Sequence, residues 1–132
     1  MSDDFSALDA YFHSGVDAPD EAFDLIFCLD ASDRVVLGTV WSERPVGWRR
    51  ECAYVLGHGP ARKCLPLLER MMFDEDADVA LEAAASLAAQ RLDTAESAMA
   101  DDVQRRFMAL ATRPEAKGIP EVQQFLSLIG GM

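Results

Sequence analysis

The chain has 132 residues, half of them apolar and 8% aromatic, and its 23 acids against 12 lysines and arginines give a net charge of −11. That length supplies the core of one domain, and so acidic a balance disfavours direct nucleic-acid binding, because phosphate contacts need a basic surface. No apolar run approaches the ~18 residues of a membrane span, the first ten residues hold three aspartates and no basic segment of a secretory signal, and three cysteines without a CxxC pair fit reduced core thiols in the cytoplasm.

Abundant alanine and few aromatics favour close-packed helices over a sheet. The first predicted helix, 4–13, carries Leu8, Tyr11 and Phe12 on one face. The second, 19–30, opens on Pro19, which suits a first helical turn, and places Phe23, Ile26, Phe27 and Cys28 toward a core. These two helices lie in an acidic quarter: residues 1–33 hold nine acids and no lysine or arginine, whereas the remainder holds fourteen acids and twelve bases. The third, 33–42, contains RVVLGTVW, whose β-branched residues make it the most strand-like stretch. The fourth, 46–57, ends at Gly57-His58-Gly59-Pro60, a strong stop. The fifth, 61–73, leads into FDEDADV, a short turn whose acids suit the N-terminus of the sixth helix, 77–91. The seventh, 95–112, and eighth, 119–130, are separated by RPEAKGIP. Nothing in the chain reads as a flexible linker, so residues 1–132 form one expected domain.

The chain repeats itself at an offset of 31. Trp48, Glu51, Ala53 and Leu56 match Val79, Glu82, Ala84 and Leu87. In the preceding helices Val36, Leu37, Val40 and Trp41 match Leu67, Leu68, Met71 and Met72, the same amphipathic stripe twice. Weaker copies lie at the ends, where a stack must cover its open faces. Together LPLL at 65–68, DEDADVALEAAASLA at 74–88 and WRRECAYVLG at 48–57 resemble the HEAT-repeat superfamily, including its short bacterial, lyase-like members. In that family the second helix of a pair starts with valine then arginine and ends Leu-Gly. The first copy here has Trp48-Arg49 and Leu56-Gly57; the second has Val79-Ala80 and Leu87-Ala88, lacking the arginine and the glycine. The resemblance implies an all-α fold, an α-solenoid of about four antiparallel helix pairs with divergent terminal repeats. It is almost silent on function.

In this register Trp48, Cys52, Val55 and Leu56 face the core. The resemblance implies that Arg49 pairs with an acid in a neighbouring turn and that second helices line a concave surface. Arg50, Glu51 and Tyr54 project from the second helix of the first copy, and Glu51 recurs as Glu82. Glu21, Asp24 and Gln124 occupy similar places on the flanking second helices. These seven are the candidate partner-binding residues.

Catalytic signatures are sparse. Cys52 or Cys64 with His58 is the one conceivable nucleophile pair, but Cys52 falls on the core face, where a thiol ionises poorly. There is no HExxH, no CxxC and none of the repeated His-Glu pairs of the iron-binding HEAT-like hydroxylases, so no metal site is expected. DEDAD at 74–78 lacks the central glycine and distal glutamate of a calcium loop, and no glycine-rich phosphate loop joins a strand to a helix. HEAT-like DNA glycosylases need a basic groove, which Arg49-Arg50 and Arg105-Arg106 do not supply.

The expectation is therefore a non-catalytic, cofactor-free module whose acidic surface binds a basic protein. An immunity protein that neutralises a bacterial toxin by steric occlusion and charge complementarity is its most concrete form. The alternative is a small-ligand or cofactor-handling protein of the bilin-lyase kind, with Trp41, Trp48 and Tyr54 lining an apolar pocket. A third form, a subunit of a larger scaffold, would dock through the apolar C-terminal stretch 122–132.

Overall fold

The computed structural model describes residues 3–14, 19–94 and 99–130. Eight α-helices follow one another: α1 Asp3–Ser14, α2 Pro19–Cys28, α3 Ala31–Val40, α4 Val46–Leu56, α5 Ala61–Met71, α6 Ala77–Thr94, α7 Asp101–Ala111 and α8 Pro120–Gly130. Two 3-10 turns, Trp41–Glu43 and Pro114–Gly118, extend α3 and precede α8. No strand occurs among the described residues. The chain is all-helical, as expected, and the strand-like segment 34–41 is helical too. Its helix starts earlier than predicted because Asp30 and Asp33 close a capping box: Asp30 Oδ1 accepts from the Asp33 amide at 2.8 Å, and the Asp30 amide donates back to Asp33 Oδ2 at 3.2 Å. Helix α7 begins at Asp101, later than the predicted 95. Ala100 is extended, two aspartates open the first turn, and residues 95–98 lie outside the described residues.

The arrangement is organised around α6. This helix packs on α4, α5, α7 and α8, and its Val79, Ala80, Ala83, Ala84, Leu87 and Ala88 are fully buried. Alanine at four of these positions leaves no long side chain to hold neighbouring axes apart. The 31-residue offset reappears as matched burial. Trp48 and Val79, Cys52 and Ala83, Ala53 and Ala84, Leu56 and Leu87 are buried pairwise, as are Leu37 with Leu68 and Trp41 with Met72. The second helix departs from expectation: Phe27 is 58% exposed and Cys28 is exposed as well. Helix α2 packs chiefly on α1 and α4, so one narrow stripe of Ala22 and Ile26, continued by Leu29, suffices to anchor it; residues 27 and 28 fall on its opposite side.

Three contacts tie α4 to α6 and to the turn before it. Arg49 Nη1 donates to Asp74 Oδ2 at 2.9 Å and to Oδ1 at 3.2 Å, with the two side chains 12% and 2% exposed. Asp74 also accepts the Asp76 amide, and Asp76 Oδ1 accepts the Asp78 and Val79 amides at the start of α6. Asp74 and Asp76 of DEDAD therefore serve the turn itself. At the other end of α4, Gln90 of α6 points its amide nitrogen at the carbonyls of Leu56, Gly57 and Gly59, at 3.1, 2.9 and 2.8 Å. These are carbonyls that a helix end leaves without intrahelical partners. Gly57 itself has ordinary right-handed geometry. Its lack of a side chain matters for approach, since a Cβ there would sit 2.7 Å from Ser86 Cβ and 3.2 Å from Ser86 Cα on α6.

These contacts set two expected stability outcomes. Gly57→Ala must push α4 off α6 and is expected to destabilise by about 1–3 kcal/mol in urea unfolding, the usual cost of overpacking. Arg49→Met leaves the Asp74 carboxylate buried without its cation and is expected to destabilise by about 3–5 kcal/mol. A loss under ~1 kcal/mol in the same unfolding measurement would show that this pair is solvated like a surface ion pair.

Candidate functional site

Helix α4 has two faces a few residues apart in sequence. Trp48, Cys52, Val55 and Leu56 point inward. Gly47, Arg50, Glu51 and Tyr54 recur at i, i+3, i+4 and i+7, one stripe along the helix. That stripe and Glu82 of α6 line an open cavity of about 360 Å³. Four of the seven residues singled out by sequence are thus brought together: Arg50, Glu51, Tyr54 and Glu82. Glu21 and Asp24 are exposed on α2 and Gln124 is exposed on α8; none of the three lines the cavity.

The electrostatics of the cavity are set by how deep each group lies. Glu82 is half-buried on the rigid α6. Desolvation pushes its carboxyl above the ordinary carboxylate value, the Arg50 guanidinium pulls it back, and the nearby Glu51 carboxylate pushes it up again. Among the described residues, Arg50, Glu51 and Glu82 form no ion pair closer than 4 Å. None of the three is locked in a contact ion pair as Arg49 is with Asp74. Tyr54, 39% exposed, leads from the cavity to an aromatic cluster. Its ring lies 5.0 Å from that of His58 and 5.9 Å from that of Phe23, and His58 stacks on Phe23 at 4.2 Å. His58 is thus an exposed turn residue held by aromatic contacts.

Sequence reasoning missed a neighbour of this cavity. A second cavity of about 290 Å³ is lined by Phe12 and His13 of α1, by Pro45, and by Gly47, Trp48 and Glu51 of α4. It shares Gly47 and Glu51 with the first. An isolated glycine inside a helical pattern was the available signal. The wall is held by Asp9, whose Oδ1 accepts from Trp48 Nε1 at 2.9 Å and from Arg44 Nε at 3.2 Å. Asp9, Asp30 and Asp33 therefore belong to the fold's own hydrogen bonding and are not free members of the acidic N-terminal quarter.

Two of the three thiols, Cys52 and Cys64, are suppressed as nucleophiles by burial. Cys52 is fully buried and desolvation drives its pKa far upward; Cys64 is pushed up to about 11 by burial, with Arg34 and Lys63 opposing. Among the described residues no group of three or more histidine, cysteine or acidic side chains is placed to hold a metal ion, and no helix is long and apolar enough to cross a membrane. Compared with known protein families, curated proteins and solved structures, the chain matches none.

The cavity makes a signed pH prediction. Glu82 has a folded-state pKa raised above its ordinary value of 4.5, so its ionised form costs stability above that folded pKa and nothing below the ordinary one. Glu82→Gln is expected to raise Tm at pH 7, with the gain shrinking as pH falls and gone below pH 4.5. Thermal melts across that range check it; a gain that does not change with pH would remove the desolvation of Glu82 from the account.

Proposed function

We propose that this chain is a non-catalytic protein-binding module of helix pairs stacked in the manner of HEAT repeats, whose acidic α4–α6 face docks a basic protein. The stacking is supported by serial packing of the even-numbered helices, α2 on α4, α4 on α6 and α6 on α8, with α1 against α2 and α5 against α6. It is also supported by the Arg49–Asp74 pair, which ties a second helix to the next turn, as the resemblance implies for that arginine. The observation that carries the docking reading is the cavity in which Glu51 and Glu82 stand together with no salt bridge to spend their charge. A net charge of −11 extends their field over the whole molecule and steers a cationic partner toward it.

Steric occlusion suits such a module best. A preformed helical face loses little conformational freedom on binding, and charge complementarity gives a fast on-rate that salt suppresses. Neutralisation of a basic bacterial toxin by an immunity protein in the cytoplasm is the most concrete version. The cofactor-handling alternative needs a deep apolar pocket at the tryptophans. Trp41 is buried in the core, and Trp48, 2% exposed, contributes only one wall of the small second cavity.

The test is capture of partners by the tagged protein at low salt, compared with high salt and with the double variant Glu51→Lys/Glu82→Lys. A basic protein held by the wild type, released by salt and lost in the double variant is the expected outcome. Retention of the same protein by the double variant overturns the assignment of the docking face. Copurification of a coloured or fluorescent small molecule in place of any protein would favour the cofactor-handling alternative.

A further inference from the structure

The two cavities beside α4 meet at the same two residues, Gly47 and Glu51. A Cβ built on Gly47 would meet nothing within 4 Å. Gly57 and Gly59 differ: a Cβ at the first would strike Ser86, and at the second Cys64 Sγ at 2.7 Å. Packing thus accounts for those two glycines and not for Gly47. Glycine is also a poor residue for the first turns of a helix. What Gly47 does is leave the floor bare where the two cavities join.

The halves differ in chemistry. One holds Glu51, Glu82, Arg50 and Tyr54. The other has exposed Pro45 and His13 at its mouth and only the edges of near-buried Phe12 and Trp48 on its wall, with Trp48 fixed by its bond to Asp9 and packed edge-on against Phe12 at 5.0 Å. We propose that the two halves form one furrow for an extended segment of the protein partner: an arginine side chain enters between Glu51 and Glu82, and an apolar side chain two residues along lies against Phe12, Pro45 and Trp48. This rests on the protein-binding reading and names what occupies its site.

Three arguments choose that occupant. Two carboxylates against one guanidinium leave the acidic half with a net negative charge. A planar guanidinium can fork onto a carboxylate and stack on a tyrosine ring in one pose, which an ammonium cannot. In an extended segment residues i and i+2 point to the same side, about 7 Å apart, so one segment can reach two cavities that adjoin at Gly47 and Glu51. The Glu82 carboxylate, whose charge burial disfavours, also gains a cation from such a ligand, so binding should strengthen as pH rises from mildly acidic to neutral.

The experiment titrates the peptide Ac-Ala-Arg-Ala-Phe-Ala-NH2 into isotope-labelled protein and follows backbone amide shifts. The expected result is saturable shifts at residues 45–51 and around Glu82, with affinity at least tenfold weaker when the arginine is replaced by citrulline or the phenylalanine by alanine. Gly47→Leu fills the floor at a position with free space, so it should remain folded, and it is expected to weaken binding at least tenfold. Unchanged affinity for the citrulline or alanine peptide, or unchanged binding to Gly47→Leu, overturns the furrow. So does the absence of shifts at these residues. If capture of the whole partner still depends on Glu51 and Glu82, the docking face survives and only the extended two-site occupant fails; if that capture is indifferent to both glutamates, the protein-binding reading of the face fails with it.

Discussion

The close approach of α4 to α6 is the constraint on which the rest depends. It is possible because Gly57 carries no side chain against Ser86 and because α6 offers a surface of alanines. Proximity brings the end of α4 within reach of Gln90, whose two amide hydrogens are shared among three carbonyls within hydrogen-bond distance. Helix ends buried without such partners are costly. The same packing therefore creates a requirement at the end of α4 and meets it with a side chain from the neighbouring helix.

That geometry also makes the candidate site. With α4 and α6 held this close, Glu82 cannot reach fully into water, and its half-burial raises its carboxyl. A carboxylate displaced from water but still open on one side is a better recognition element than a fully solvated one, because the competing solvent and screening are weaker. The cost falls on the stability of the free protein. That cost has a physical cause in the same alanine-rich packing that holds the fold together.

Much of the helical framework was legible because it rests on local signals. Apolar stripes, proline starts, glycine stops and an offset of 31 residues specify where helices lie and which faces are buried, and Trp48, Cys52, Leu37, Leu68, Val79 and Leu87 are all buried. The polar stripe of α4 was readable for the same reason: phase on a helix follows from residue number. What was not readable depends on which helices meet. Phe27 and Cys28 look like core residues, but α2 finds too few neighbours to bury more than one stripe. The second cavity is built from the end of α1 and the start of α4, residues more than thirty positions apart; Gly47 marks a place on α4, but nothing in its pattern says that α1 meets it there. The acidity of the first quarter reads as surface charge, yet Asp9, Asp30 and Asp33 are drawn into a tryptophan clasp and a helix cap.

Arg49 and Arg50 show how narrowly structure and recognition are separated. A step of one residue turns a helix by about 100°, enough to carry Arg49 into a near-buried pair with Asp74 and Arg50 out to the cavity rim. The first arginine is bound to an acid of its own chain and adds no field to the surface. The second is exposed and only partly offsets two carboxylates. Cys52 extends the argument inward: three residues from Arg49 it returns to the core face, where the thiolate is suppressed. Along this one helix, nearby residues of reactive type are sorted by phase into structural pair, solvent-facing charge and inert filler. The chemistry left facing solvent is that of fixed charges and an aromatic ring, which suits binding a cationic side chain and leaves nucleophilic attack by Cys52 without an ionised sulfur.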